Sequence, residues 1–221
     1  MSKNPPPDAR DTISEVTTGR LSVYLRCLTY LEQAGQQTVS SQELAERFHL
    51  NSAQIRKDLA CFGEFGTRGV GYNVSRLKTQ LVQTLGIDRK RNVLIVGAGN
   101  LGMALADYRG FNNAGFEIVA LVDSDPEKTG RVSRSGIPVL AFPRLGEIVR
   151  DNAVEIGVIA VPADAAQEAC DALVAAGVIA VLNFAPVQIR TLPRVKVKTV
   201  DLRINLESLS FFLKNVEDGT I

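Results

Sequence analysis

Residues 92–102 read Asn92-Val-Leu-Ile-Val-Gly97-Ala-Gly99-Asn-Leu-Gly102, an apolar strand running straight into the pattern G-x-G-x-x-G. Each glycine of such a turn has its own physical reason. Gly97 permits the tight turn off the strand, and Gly99 lets the main chain approach a diphosphate with no Cβ in the way. Gly102 lets the following helix pack on the sheet, and the start of that helix brings free N–H groups and partial positive charge to an anion. The pattern alone is common; its surroundings make it specific. Met103-Ala-Leu-Ala-Asp107 continues as helix, and a second strand covers Ile118-Val-Ala-Leu-Val122. Asp123 then follows 21 residues beyond Gly102, where a carboxylate would meet a ribose hydroxyl. The stretch therefore predicts an NAD(H) site made by Gly97, Ala98, Gly99, Asn100, Leu101, Gly102 and Asp123. Asp123 would repel a 2′-phosphate, which favours NAD over NADP.

The motif comes late in a chain of 221 residues, so some 90 residues stand before it with a separate task. The total charge of +1 conceals an asymmetry. Gly19 to Arg91 carries 11 Lys and Arg against 6 Asp and Glu, a net of +5, whereas Asn92 to the end carries 12 against 15, a net of −3. A basic front part joined to a mildly acidic back part fits a nucleic-acid module attached to a small-molecule domain. No apolar run reaches the roughly 18 residues that span a bilayer. The start, Met1-Ser-Lys-Asn-Pro-Pro-Pro-Asp8, lacks the apolar core of a signal peptide, and the expected location is the cytoplasm with no membrane partner. Cys27, Cys61 and Cys170 are odd in number and far apart, so neither a disulfide framework nor a metal site is expected; buried or half-buried thiols are.

The front part can be read as a winged helix. After a Pro-rich tail (residues 1–18), Leu21, Leu25, Leu28 and Leu31 recur at helical spacing up to Gly35. Ser40-x-x-Glu43 is a capping box for a second short helix. A turn at His49-Leu50-Asn51 leads into a third helix, with Asn51 as N-cap and Ile55, Leu59 and Phe62 as its inward stripe. At 100° per residue the opposite face holds Ala53, Lys57 and Ala60, flanked by Gln54, Arg56 and Cys61. Small residues with Lys, Arg and Gln suit a helix lying deep in a groove. The glycine-rich segment Gly63 to Val74 predicts a hairpin with Arg68 near its tip, able to enter a minor groove. Gln54, Arg56, Lys57 and Arg68 are thus the candidate DNA contacts. A helix from Ser75 to Leu85 closes this domain at Gly86.

Beyond Asp123 the chain alternates in the α/β manner. Strands are expected at Ile137–Leu140, Ile156–Val161, Val178–Leu182 and Val195–Leu202, with a helix at Asp164–Ala176. Short, nearly continuous apolar strands indicate a parallel sheet covered on both faces. The fold class is α/β: a winged-helix domain over 19–91, a doubly wound Rossmann domain over 92–204, and a C-terminal helix over 205–221. That helix (Leu206, Leu209, Phe211, Phe212, Leu213) is apolar for a chain end and packs either on its own domain or into a partner subunit.

Several segments together resemble the Rex family of bacterial redox-sensing repressors. They are Tyr24-Leu-Arg, Gln54-Ile-Arg-Lys-Asp-Leu, Phe65-Gly-Thr-Arg-Gly-Val-Gly-Tyr72, Gly97-x-Gly-Asn-Leu-Gly102, Ala104-Leu-Ala-Asp-Tyr-x-Gly-Phe111, Asp123-x-Asp-Pro-Glu-Lys-x-Gly130 and Leu182-Asn-Phe-Ala-Pro186. The resemblance covers about Arg20 to Val216. It implies a homodimer that binds a palindromic operator and leaves it when NADH replaces NAD⁺, with the C-terminal helix domain-swapped. It also implies a relay of Arg26, Tyr108 and Asp201, with Tyr108 among the cofactor contacts. Members often carry an aromatic after the matching Asp; here Leu202 stands there.

The alternative reading is an NAD-dependent oxidoreductase with an accessory basic domain, since the same glycine turn serves many functions. Such an enzyme needs an acid or base beside the hydride and a region to hold substrate. The chain's one histidine, His49, falls in the helix-turn-helix, and no substrate domain follows the sheet. The expectation is therefore a protein that is not an enzyme.

Overall fold

The computed structural model describes residues 14–63, 66–67 and 70–219. The chain divides into two units, Met1–Arg89 and Lys90–Ile221.

In the first unit, α1 (Glu15–Gln33) begins at Ser14, whose hydroxyl accepts from Thr17 N–H, so residues 15–18, expected in the tail, form the first helical turn. It ends at Ala34 and Gly35, the latter at φ +77°. A two-residue strand, β1 (Thr38–Val39), leads into α2 (Ser41–Phe48), capped by Ser40. His49 takes a left-handed conformation and reverses the chain into α3 (Ser52–Ala60), capped by Asn51 as expected. The strands β2 (Gly66–Thr67) and β3 (Gly71–Asn73) pair antiparallel as the expected hairpin; Arg68 lies outside the described residues. β1 pairs with β3 on its other side, a strand that two residues are too few to announce. Asn73 caps α4 (Val74–Thr84), one residue earlier than its apolar spacing indicates. Leu21, Leu28, Leu31, Leu44, Ile55, Leu59, Leu77 and Leu81 form one core between these helices.

The second unit is a parallel six-stranded sheet. Its strands are β4 (Arg91–Val96), β5 (Phe116–Asp123), β6 (Val139–Ala141), β7 (Ile156–Ile159), β8 (Ala180–Asn183) and β9 (Lys196–Thr199), in the order β6-β5-β4-β7-β8-β9. The order reverses between β4 and β7, and such a switch point opens a crevice at the strands' carboxyl ends. Successive residues of β4 alternate faces. Val93 and Ile95 pack with Ala106 and Met103 of α5 (Asn100–Ala106), while Leu94 and Val96 pack with α7 (Leu145–Asp151) and α8 (Ala166–Ala175). Both faces are covered, which is why the strands read as apolar runs.

Two expectations change here, and two short helices are added. The helix after the glycine turn breaks at Asp107, and α6 (Arg109–Asn113) starts anew. α7 was not evident in the sequence. The strand expected over 195–202 stops at Thr199, and Asp201 does not end it. Asp201 instead caps α9 (Leu202–Glu217), its carboxylate accepting from Arg203 N–H at 2.9 Å, so the last helix starts three residues before Asn205. None of α9's side chains is buried within the chain. Its Leu202, Leu206, Leu209, Leu213 and Val216 recur every three or four residues, all exposed.

Candidate functional site

The glycine turn joins β4 to α5 at the carboxyl end of the sheet. Gly97 sits at φ +104°, and a Cβ there would come within 2.4 Å of the Ala160 carbonyl oxygen. A Cβ on Gly102 would strike the Gly97 carbonyl oxygen. Both positions are closed by the backbone. Gly99 is different: a Cβ there meets nothing within 4 Å. Its lack of a side chain serves open space, which is what a bound diphosphate requires. Asn100 and Leu101, the first residues of α5, are exposed.

Asp123 ends β5 and is 9% exposed. Its Oδ2 accepts from Ala98 N–H at 2.7 Å and its Oδ1 from Asp125 N–H at 2.9 Å, while Lys128 Nζ lies 3.1 Å and 3.3 Å from the two oxygens. Burial alone would raise its pKa; the two N–H groups and the Lys128 ammonium outweigh this and hold it below the usual carboxylate range. Ala98 therefore gives its N–H to Asp123, and the acid braces the turn. A cleft of ≈ 360 Å³ opens beside them, lined by Gly97, Val122, Asp123, Phe142, Val161 and Ala169.

The candidate DNA face lies on α3 of the first unit. Ala53, Arg56, Lys57 and Ala60 are exposed and Ile55 and Leu59 buried, as the rotation of the helix requires. Arg56 Nη1 donates to Ser41 Oγ at 2.9 Å across the helix-turn-helix. Asp58 is 2% exposed on the inward side, a feature the apolar-stripe reading missed. Arg20 of α1 donates to both its oxygens, through Nε to Oδ2 and Nη2 to Oδ1, the latter at 2.7 Å. Tyr24 Oη donates to Oδ2 at 2.8 Å and Gln54 Nε2 to Oδ1 at 2.7 Å. The Arg20 hydrogen bond outweighs burial and, with Gln54 and Tyr24, keeps this acid ionised well below its ordinary pKa. Tyr24 is driven upward, first by burial and then by its bond to Asp58. A signal was available: Asp58 falls on the apolar side of α3, and a buried acid needs a buried partner.

Of the relay residues, Arg26 is an exposed residue of α1 in the first unit; Tyr108 and Asp201 belong to the second, where no hydrogen bond among the described residues links those two. Tyr108 is 59% exposed and meets Phe111 edge to face at 5.0 Å. Its ring lies over Gly110, where a Cβ would come within 2.4 Å of it, and this accounts for the Tyr-x-Gly-Phe spacing. Cys27 and Cys170 are buried as expected, whereas Cys61, at the end of α3, is exposed.

Known proteins show the same two parts. A family model described as the N-terminus of a putative DNA-binding protein matches residues 12–60, and a CoA-binding domain model matches 88–187. The redox-sensing transcriptional repressor Rex of Desulfitobacterium hafniense is 49% identical over 90% of this chain and 94% of its own length. That of Carboxydothermus hydrogenoformans is 50% identical over 91% and 97%. This chain belongs to the Rex family. Among solved structures, RSP in complex with β-NAD⁺ and operator DNA matches with a TM-score of 0.88 and 36% identity, over 93% of this chain and 94% of that one. RSP, a Rex-family repressor, in complex with β-NADH matches at 0.83 and 34%, over 94% and 96%. The Rex fold thus joins a helical DNA-binding unit to a doubly wound parallel sheet in one chain. No described helix is long and apolar enough to cross a membrane.

Proposed function

We propose that this chain represses transcription by holding a palindromic operator when empty or bound to NAD⁺, and lets it go when NADH takes the site. The observation that carries this reading is the pairing of Gly99, open where a diphosphate needs room, with the exposed Arg56 and Lys57 of α3 on the same chain. Lys57 and Arg56 serve the major groove beside Gln54, and Arg68 the minor groove. Gly97, Gly99, Asn100, Leu101 and Gly102 form the diphosphate turn. Asp123 faces the adenine ribose while bracing that turn through Ala98. The bound cofactor supplies a nicotinamide ring that is positive in NAD⁺ and neutral in NADH. Arg26, Tyr108 and Asp201 convert that one-charge difference into a change of partners. Nothing in this scheme turns over a substrate, so the protein is a sensor and not an enzyme, acting in the cytoplasm where the chromosome is.

The functional unit is a homodimer joined by α9. A helix with Leu202, Leu206, Leu209, Leu213 and Val216 in water along one seam is costly, and burial in a second copy removes that cost. NADH shifts the dimer only by its differential affinity for two arrangements, so operator DNA weakens NADH binding by the same factor. A coupling of roughly 1–3 kcal/mol is typical. The test is a gel shift on a palindromic operator with NAD⁺ or NADH titrated in, on the full chain and on one lacking residues 202–221. The full chain should release operator on NADH alone. The truncated chain should be monomeric and unresponsive; a responsive dimer would rule out the route through α9.

A further inference from the structure

Gln54 stands between two unlike neighbours on α3. One turn onward is the buried Asp58; three residues onward is the exposed Lys57. Among the described residues the Asp58 carboxylate accepts four hydrogen bonds: two from the Arg20 guanidinium, one from Tyr24 Oη and one from Gln54 Nε2. A carboxylate paired in this fork-to-fork manner can only accept. It therefore decides which end of the Gln54 amide turns inward. A side-chain amide is otherwise free to rotate by half a turn, because its two ends are nearly the same size. Here the NH₂ must point to Asp58. Oε1 takes no hydrogen bond from any described residue and is not among the buried polar atoms left without a partner, so it is presented outward.

We infer that Asp58 is a specificity-positioning residue: it holds the Gln54 amide so that α3 offers a carbonyl oxygen, and the base it reads carries an exocyclic amine, adenine or cytosine. In the major groove those bases offer N6 and N4 donors, whereas guanine and thymine offer O6 and O4 acceptors at the matching edge. Arg20 and Tyr24 act one step further back by fixing the carboxylate. The inference rests on the reading of α3 as the helix that enters DNA, and it deepens that reading.

The experiment measures affinity for the operator and every single base-pair variant of it, for the full-length wild type and for Gln54→Leu, Asp58→Asn and Lys57→Ala. Wild type should prefer adenine or cytosine at one position of each half-site by roughly tenfold to a hundredfold. Gln54→Leu should lose that preference and keep the others. Asp58→Asn gives the amide a partner that can donate, so the preference should broaden towards guanine and thymine. An unchanged preference in Gln54→Leu, or in a folded Asp58→Asn, overturns the inference. If Asp58→Asn does not fold, amide exchange in the wild type decides. One proton of the Gln54 NH₂, assigned by its loss in Gln54→Leu, should exchange more slowly than its partner, and two equally fast protons overturn it. If Lys57→Ala binds operator as tightly as wild type, the reading of α3 fails, while the exchange result still judges the amide's orientation.

Discussion

Each unit contains one buried aspartate at its candidate site, and the two are held in opposite ways. Asp123 is satisfied chiefly by backbone N–H groups of Ala98 and Asp125, with Lys128 alongside. Among the described residues the Asp58 carboxylate is satisfied by side chains alone, from Arg20, Tyr24 and Gln54. Backbone donors arrive with the fold, because any strand–turn–helix of this shape directs N–H groups at the strand's neighbour. Side-chain donors must be specified residue by residue. The first acid should therefore be robust to local change and the second brittle.

The largest expected effect follows directly. Asp58→Ala leaves the Tyr24 hydroxyl buried without its acceptor and the Arg20 guanidinium without its partner. We expect a loss of about 2–4 kcal/mol from the first unit, measured by urea unfolding with amide exchange resolving the two units. A loss confined to the second unit, or none, would break the contrast between the two acids.

The same contrast explains what the sequence reveals. Asp123 is legible because strand, glycine turn and 21-residue spacing are local features with one structural meaning. The burial of Asp58 can be read from its place on α3 but its partners cannot, because Tyr24 lies 34 and Arg20 38 residues away, and only the packing of α1 on α3 brings them together. Element ends fail for a related reason. The run from Val195 to Leu202 carries the β-prone Val195, Val197, Thr199 and Val200, yet Asp201 can accept Arg203 N–H and starts a helix there. α7 is seven residues with Gly146 in it, too short to show a period; Leu145, Ile148 and Val149 make it a helix by packing under the sheet. Tyr108, expected at the cofactor, is exposed beside Phe111, and neither its motif nor its spacing tells where it faces.

Acid should affect both units, and so should alkali. Both carboxyls titrate below the ordinary value in the folded chain, Asp58 through Arg20 and Asp123 through the N–H groups and Lys128 that overcome its burial. A lowered folded pKa means that the stabilisation is complete above the unfolded value of about 3.9 and is lost as pH falls through the folded one. Tyr24 is raised, so its contribution is complete below about pH 10 and fades as pH rises further. Denaturation midpoints followed from pH 3 to 11, with exchange to separate the units, should show an acid limb and an alkaline limb in each, the alkaline one from Tyr24, Tyr72 and Cys27 in the first unit and from Cys170 in the second, all raised by burial. Tyr24→Phe should weaken the alkaline limb of the first unit and leave both limbs of the second untouched.

A smaller effect on stability is expected at Asp123. In Asp123→Ala the space left by the carboxylate joins the cleft that Gly97, Val122, Asp123 and Ser124 line, where water replaces the lost acceptor, so the cost should be about 1 kcal/mol. The consequence appears in binding instead. NADH affinity should fall about tenfold and rejection of NADPH should weaken, because the carboxylate both accepts from ribose and repels phosphate. Calorimetry decides it. Unchanged NADH affinity with continued rejection of NADPH would transfer the ribose role to Asp125.

The smallest effect separates the two cations. Arg20 grips Asp58 with two parallel bonds, whereas Lys128 meets Asp123 as a single ammonium about equally near both oxygens. A planar fork fixes geometry; a point charge mainly offsets charge. Asp123 keeps its two backbone donors without Lys128, so this pair contributes little to stability, under about 1 kcal/mol. Lys128→Met should hence leave the unfolding midpoint of the second unit nearly unchanged, since the backbone donors still hold Asp123. What it does change is the charge near the ribose, because Asp123 then stands uncompensated. NADPH should be rejected a few-fold more strongly relative to NADH, and the difference should shrink as salt is raised. A large drop in stability with no change in cofactor preference would mean that Lys128 braces the turn as Arg20 braces α3, and the distinction between backbone-held and side-chain-held acids would not survive it.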